Sequence, residues 1–203
     1  MKILLVYPHC LEARLDAEDV SVPPIGMYYV GALLKAHRFD VEILNWHQVG
    51  QDQKGVQNTL IQKRPDIIGF SVLHANRWGA IHIARTAKAL DPKVRIVFGG
   101  IGPTFLWDHF LTHFEEVDFC VLGEGEYPFL NLVKALSKGD AAAIQAVLGI
   151  AYREGSRVRR TPSPDRICDI DALPNPAQYF AFQHVTSSRG CPNNCTFCGS
   201  PRF

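Results

Sequence analysis

The 203-residue sequence lacks long apolar runs, and no stretch approaches the roughly 18 residues that a transmembrane helix requires. It also lacks an excess of either charge: 21 lysines and arginines stand against 20 aspartates and glutamates, which gives a formal net charge of +1. A protein that binds nucleic acid mainly by electrostatic attraction is normally more basic. We therefore expect neither a membrane span nor a nucleic-acid partner. The 47% hydrophobic content excludes disorder as the main state and is typical of a globular protein.

A recognisable signal peptide is also missing. The apolar stretch at residues 3–6 is short, Pro8 follows it, and no small-residue cleavage site comes after. We predict a first β-strand there and a reducing, cytoplasmic location. The sequence has six cysteines, of which three are scattered and three lie within the last thirteen residues. In a reducing compartment, such a cluster indicates metal ligation rather than disulfides.

The first 140 residues alternate between strand and helix patterns. Five short runs are rich in Val, Ile and Phe and almost continuously apolar, as in strands buried on both faces of a parallel sheet. Apolar residues at helical spacing predict helices at 24–37, 77–90 and 124–137. We predict a doubly wound α/β domain over residues 1–140, with ligands at the carboxyl ends of a five-stranded parallel sheet. The predicted strands are Lys2–Tyr7, Asp40–Asn45, Asp66–Ser71, Arg95–Gly99 and Asp118–Leu122.

The pattern changes after about residue 140. Residues 149–153 and 157–160 predict a small hairpin, and four prolines then punctuate the chain to about residue 182. We interpret residues 141–182 as a hairpin and a proline-rich linker, with the hairpin arginines on a solvated face. Residues 183–203 are interpreted as the start of a second domain.

Three cysteines, Cys191, Cys195 and Cys198, lie at CxxxCxxC spacing on one short loop. Thiolates are soft ligands that suit zinc, Cu(I) or iron–sulfur clusters. A closed structural zinc site needs four ligands, so three cysteines without an obvious fourth partner favour a 4Fe–4S cluster with one open iron. The alternative is a zinc knuckle in which His184 is the fourth ligand.

This loop resembles the signature of radical S-adenosylmethionine enzymes. The resemblance rests on the cysteine spacing, on Phe197 before the third cysteine and on Arg189-Gly190 before the first. It implies that the three cysteines hold a 4Fe–4S cluster, that the open iron binds S-adenosylmethionine, and that electron transfer releases a 5′-deoxyadenosyl radical. A reducing donor such as flavodoxin or ferredoxin is implied as a partner.

The glycine-rich loops upstream resemble the flavodoxin-like or Rossmann-like cobalamin-binding domain of cobalamin-dependent members of the same family. Ser71-Val72-Leu73 is similar to the S-x-L element of cobalamin domains, and Gly99-Gly100 is similar to their GG element. Glycines in such loops allow positive φ angles and a close approach of backbone to ligand. The cofactor-binding residues that this resemblance implies are Pro24, Gly26, Ser71, Leu73, Gly99, Gly100, Gly102, Thr104, Gly123, Glu124, Gly125 and Glu126.

The residue that would face cobalt from below is left open. Many cobalamin domains carry D-x-H-x-x-G after the first strand, whereas residues 7–12 have no match to it. A near match containing His47 follows the second strand, which is an edge strand in a 2-1-3-4-5 sheet and lies away from the switch in strand order. His9 and His74 lie closer to the expected site, but we interpret each as a loop histidine.

Together, the two resemblances imply the N-terminal portion of a cobalamin-dependent radical S-adenosylmethionine enzyme, a methyltransferase or cyclase acting on a small molecule. The resemblance also implies a catalytic radical S-adenosylmethionine barrel, of which residues 183–203 would be the first strand and loop. The sequence ends five residues after Cys198, whereas a complete barrel takes about 200 residues. We therefore expect a truncated barrel and an inactive fragment, and we assign no catalytic residue. The alternative is a non-catalytic, flavodoxin-like module that binds cobalamin or a nucleotide and carries a metal-binding cysteine tail.

Overall fold

The structure, a computed structural model, describes residues 1–10, 23–48, 52–184, 186–193 and 195–198. Three of the predicted segments therefore lie partly outside the described residues. These are the loop after the first strand beyond Cys10, the end of the near match around His47, and the last five residues of the predicted second domain. Within the described residues, no helix is long and apolar enough to cross a membrane.

A single seven-stranded sheet forms the centre of the fold. The first five strands are parallel in the order β2-β1-β3-β4-β5, and β6 and β7 continue the sheet as antiparallel strands. The predicted parallel five-stranded core and its strand order are thus confirmed. The strands are β1 (Lys2–Tyr7), β2 (Asp40–Asn45), β3 (Ile67–Ser71), β4 (Arg95–Gly99), β5 (Phe119–Val121), β6 (Ile150–Glu154) and β7 (Arg157–Arg160).

Helices cover both faces of this sheet, as the doubly wound prediction requires. One buried cluster joins the sheet to α1 and α5, and the other joins it to α2, α3 and α4. Along β1, Leu4 and Val6 belong to one cluster whereas Ile3 and Leu5 belong to the other, because successive side chains of a strand point to opposite faces. The helices are α1 (Ile25–Ala36), α2 (Gln53–Lys63), α3 (Arg77–Leu90), α4 (Ile101–His113), α5 (Glu126–Lys138) and α6 (Ala141–Gln145).

The predicted hairpin is part of the sheet rather than a detached connection. Strand β6 pairs with β5 through Phe119 and Tyr152, so the sheet has seven strands rather than the five predicted. The prediction of a solvated face is wrong for Arg153, whose guanidinium donates to the carbonyls of Leu111 and Glu115 near the end of α4. The last carbonyls of a helix, such as that of Leu111, have no partner within the helix, so Arg153 satisfies one of them and ties the hairpin to the domain.

Candidate functional site

A cavity of about 530 Å³ opens at the carboxyl ends of the parallel strands. Its floor is apolar and is formed by strand residues such as Leu5, Val97 and Val121, with the Phe129 ring of α5 beside them. This is the edge at which open parallel α/β sheets bind ligands. The cavity therefore lies where the sequence predicted a binding site.

The structure brings most of the predicted cofactor-binding residues together around this cavity. Ten of the twelve contribute to its lining, and only Gly102 and Thr104 do not. The ten belong to four separate loops or helix starts, so the sheet assembles residues that are far apart in the sequence. They are Pro24, Gly26, Ser71, Leu73, Gly99, Gly100, Gly123, Glu124, Gly125 and Glu126.

Gly69 lines the cavity as well, although it is not among the residues predicted from the sequence. A Cβ at this position of β3 would lie 2.9 Å from Leu5 Cδ2 and 3.0 Å from Phe129 Cζ. Glycine thus lets the Phe129 ring lie directly on the sheet. A glycine inside a buried strand signals close packing of this kind, and that signal was available in the sequence.

The S-x-L and GG elements are joined by backbone hydrogen bonds. Val72 N donates to Gly99 O at 2.8 Å, and Gly102 N donates to Val72 O at 3.1 Å. A Cβ on Gly102 would lie 2.9 Å from Val72 O, and Gly100 has a φ of +93°. Gly102 therefore permits the close approach of the two loops and does not contact the cavity itself.

Two polar side chains hold these loops in place. The Thr104 hydroxyl donates to Gly100 O at 2.8 Å and accepts from Gly123 N at 2.9 Å, so it connects two glycine loops. Asn76, which is buried, accepts from Leu73 N at 2.7 Å and donates to Ser71 O at 3.2 Å. Asn76 was not predicted from the sequence, although its position three residues after Leu73 is typical of a loop-stabilising asparagine.

No histidine is among the described residues that line the cavity. His74 is exposed, and the ring of His47 lies 5.7 Å from that of Tyr7. His9 is fully buried against α3, where Gly79 makes room for it, since a Cβ on Gly79 would lie 2.0 Å from His9 O. Burial lowers the pKa of His9 to about 4, with a further contribution from the nearby histidines His82 and His47.

The chain after β7 returns to the cavity across the outer face of α1. The Phe180 and Phe182 rings lie 5.9 and 5.0 Å from the ring of Tyr28 on this helix. Gly31 allows that contact, because a Cβ there would lie 2.9 Å from Phe180 Cζ. This path brings Arg189 and Gly190, immediately before the first clustered cysteine, into the cavity lining.

The three clustered cysteines do not converge. Cys191 and Cys195 are exposed and Cys198 is half-buried, with Cys198 N donating to Cys195 O at 3.2 Å across a turn. The described part of the chain contains no group of three His, Cys, Asp or Glu side chains placed to hold a metal ion. His184, the alternative fourth ligand, instead packs its ring 5.4 Å from that of Phe182.

The fold and the cavity define an α/β domain with a candidate ligand site at the carboxyl ends of its parallel strands. The model of the B12 binding domain matches residues 18–133, which is more than half of the chain. The chain therefore belongs to the B12-binding domain family, as the resemblance of its glycine loops implied.

Similar proteins extend this assignment. The chain is 32% identical to an uncharacterized methyltransferase of Pyrococcus horikoshii, over 98% of this chain and 45% of that protein. It is 28% identical to the anaerobic magnesium-protoporphyrin IX monomethyl ester cyclase of Rubrivivax gelatinosus, over all of this chain and 39% of that protein. The chain thus spans less than half the length of these curated relatives, which are methyltransferases and cyclases.

A solved structure has the same fold. The cobalamin-dependent S-adenosylmethionine radical enzyme OxsB, with aqua-cobalamin and S-adenosylmethionine bound, superposes with a TM-score of 0.64 at 22% identity. The match covers 82% of this chain and 23% of that one. The predicted fold and the resemblance to cobalamin-dependent radical S-adenosylmethionine enzymes are confirmed.

Proposed function

We propose that the chain binds cobalamin in the cavity at the carboxyl edge of its sheet and carries the cysteines for a 4Fe–4S cluster. It would do so as part of a cobalamin-dependent radical S-adenosylmethionine methyltransferase or cyclase that acts on a small molecule. The observation that carries this proposal is the assembly of ten predicted residues around one cavity, in a chain of the B12-binding domain family.

The cavity suits part of a cobalamin molecule, namely the heterocyclic tail. Its floor is apolar, and its rim is made of glycine loops whose backbone a flat ring system can approach closely. A Cβ placed on Gly26 or on Gly123 would meet no other atom within 4 Å, so the rim is open at both positions. Because no described histidine lines the cavity, we expect cobalamin to bind without a protein histidine below the cobalt.

The cysteine loop suits an iron–sulfur cluster by its donor chemistry. Three thiols lie within eight residues, and two of them are exposed and accessible to incoming iron. Since the thiols do not converge, we expect the loop to wrap around the cluster as the cluster forms. When bound, the cluster and S-adenosylmethionine would supply radical chemistry and cobalamin a transferable methyl group or a redox centre, while the protein positions them.

Cobalamin binding is tested by adding hydroxocobalamin to the purified chain and separating bound from free by gel filtration. We expect comigration with a base-off absorption spectrum, because binding of the heterocyclic tail in the cavity removes it from the cobalt and none of the described residues that line the cavity is a histidine to replace it. A chain that elutes without cobalamin would contradict the proposal, and a base-on or histidine-ligated spectrum would contradict the assigned geometry.

Anaerobic reconstitution with iron and sulfide tests the second half of the proposal. Broad visible absorption and an EPR signal on reduction are the expected results. If cobalamin binds but no cluster forms, the chain is a cobalamin-carrying module, as in the alternative drawn from the sequence. We expect the chain alone to form no 5′-deoxyadenosine. An electron donor such as flavodoxin or ferredoxin remains a predicted partner.

A further inference from the structure

Arg189, two residues before Cys191, contacts the cobalamin-binding domain at three points. Its Nη1 lies 2.7 Å from Glu126 Oε1 and 3.8 Å from Glu124 Oε1. Its guanidinium carbon lies 4.8 Å from the centre of the Tyr29 ring. These partners come from the β5–α5 loop, the first turn of α5 and the middle of α1, so one side chain bridges several elements of the domain.

The Glu126 carboxylate makes this contact specific. Glu126 is 3% exposed, and a carboxylate removed from water requires a paired charge. Its position in the first turn of α5 also places it at the positive end of the helix dipole. Arginine provides both a planar fork for the carboxylate and a flat face that stacks on an aromatic ring.

Glu124 fixes a second point of the returning chain. Its Oε2 accepts from Ile167 N at 2.8 Å, while its Oε1 faces Arg189. The same carboxylate thus holds the segment before residue 182 and the residue next to the cysteine loop. Gly190 follows with a φ of +78°, which turns the chain away after the anchor, and it lines the cavity beside Arg189.

We propose that Arg189 is a positioning residue that fixes the start of the cysteine loop on the cobalamin-binding domain, with Glu126 as its buried counter-charge. The inference rests on the proposed function, because it makes the loop one wall of the proposed cobalamin cavity. Anchoring and cobalamin binding are then linked. A ligand that binds more tightly when Arg189 is held in place stabilises the contact between Arg189 and Glu126, and that contact increases the affinity for the ligand by the same factor.

The rate of trypsin cleavage after Arg189 measures how firmly this residue is held, and the experiment needs no cofactor. Trypsin can cleave the Arg189–Gly190 bond, but the Arg189 side chain is held by Glu126. The exposed Lys138–Gly139 bond serves as an internal reference, because glycine follows the cleaved residue at both sites. Glu126→Gln keeps the shape of the side chain and removes its charge. We expect cleavage after Arg189 to become about tenfold faster relative to Lys138, since cleavage follows the population of the opened segment.

Glu116→Gln is the matched control. Glu116 is also a buried glutamate that pairs with an arginine, Arg85, but it lies outside the cavity lining. We expect the ratio of the two cleavage rates to remain that of the wild type in this variant. If Glu126→Gln does not fold, Tyr29→Leu removes the ring that stacks on Arg189, together with its edge contact with the Phe182 ring, and we expect about threefold faster cleavage after Arg189. An unchanged ratio in the folded variants would overturn the anchor.

Cobalamin distinguishes a positioning role from a purely structural one. In the wild type, we expect hydroxocobalamin to slow cleavage after Arg189 and leave Lys138 unaffected, and we expect Glu126→Gln to lose this protection. A wild type that binds cobalamin without any change in cleavage would overturn the coupling while leaving the proposed function intact. A wild type that binds no cobalamin would defeat the proposed function, and the cofactor-free cleavage would still decide whether Arg189 is an anchor.

Discussion

The cobalamin cavity and the cysteine loop differ in how far the protein has already built them. Around the cavity, the S-x-L and GG elements are connected by backbone hydrogen bonds, and Thr104 connects the GG element to the next glycine loop. In the cysteine loop, two thiols are exposed and no metal-holding group is assembled among the described residues. A preformed site needs little ordering on binding, whereas a loop that orders around its metal gains that structure from the metal.

This difference sets an order of dependence between the two sites. The cavity is part of the sheet edge, so it should survive the loss of the cluster. The cysteine loop begins at the Arg189 anchor on the cavity rim, so loss of that anchor should reach the loop. The following changes test these dependences, beginning with the largest expected effect.

Replacing Cys191, Cys195 and Cys198 together by alanine should abolish cluster assembly completely. The free energy of unfolding should stay within about 0.5 kcal/mol of the wild type, because these are loop residues outside both buried clusters. Iron content, visible absorption and EPR after reconstitution measure the first effect, and urea unfolding measures the second.

Cys168→Ala is the control for this triple variant, since Cys168 is exposed and lies outside the cluster spacing. It should assemble the cluster normally, and both proteins should retain cobalamin. A triple variant that still assembled the same cluster would show that the cysteine assignment is wrong.

Gly26→Leu should damage the cavity and leave the cysteine loop able to form its cluster. The position lines the cavity and has open space where a Cβ would stand, so the new side chain fills the site without distorting α1. Leucine also favours a helix over glycine by about 1 kcal/mol, so the variant should fold. We expect the dissociation constant for cobalamin to rise by at least about tenfold, which corresponds to about 1.4 kcal/mol.

Titration of hydroxocobalamin by absorption measures this constant, and Gly26→Ala is the size control with a smaller expected effect. Unchanged affinity in the leucine variant would place the cobalamin elsewhere. The substitution leaves the contact between Arg189 and Glu126 in place, so loss of cluster assembly in the same variant would contradict the view that the loop depends on this anchor and not on an open cavity.

The sequence predicted the strands and the position of the site because these follow from short-range patterns. All five parallel strands lie within one residue of their predicted bounds at either end, since continuous apolar runs between turn residues have few alternative structures. Their carboxyl ends then bring the glycine loops together by topology alone. The seven-stranded sheet was missed because edge pairing depends on which strand a hairpin meets in space.

The sequence could not show which residues contact each other when they lie far apart in the chain. The contact between Arg189 and Glu126 joins residues from two segments that the sequence predicted to be different domains. The packing of Phe129 on Gly69 likewise depends on the crossover that carries α5 over the sheet. Neither contact can be read from the sequence, although one member of each pair has a local signal: Arg189 in an Arg-Gly before a cysteine, and Gly69 as a glycine in a buried strand.

His9 makes the stability of the α/β region depend on pH. Its pKa is about 4 in the folded protein and about 6.5 in the unfolded chain, so the unfolded chain binds more protons between these values. The free energy of unfolding should therefore fall as the pH decreases from about 6.5 to about 4, by about 3 kcal/mol in total from this group.

His9→Phe should remove that part of the pH dependence, whereas His74→Phe, at an exposed loop position, should leave it in place. Urea unfolding at pH 7 and pH 4.5 measures both variants. An equal loss of stability in wild type and His9→Phe on acidification would show that other groups carry it.

Thr104→Val is the smallest change and the most direct test of whether the cavity is preorganised. Valine has nearly the same shape, but it removes the hydroxyl that donates to Gly100 O and accepts from Gly123 N. The loss of these bonds should cost about 1–2 kcal/mol in the free energy of unfolding, whereas Thr104→Ser should retain most of the stability.

Because Thr104 does not line the cavity, any change in cobalamin affinity must act through the positions of the two glycine loops. We expect about threefold weaker cobalamin binding in the valine variant, because less of its site is ordered before binding. The serine variant keeps the hydroxyl and should bind cobalamin nearly as the wild type does. Equal cobalamin affinity in all three proteins would mean that the loops keep their positions without the hydroxyl, and that the backbone bonds between the S-x-L and GG elements are sufficient to preform the cavity.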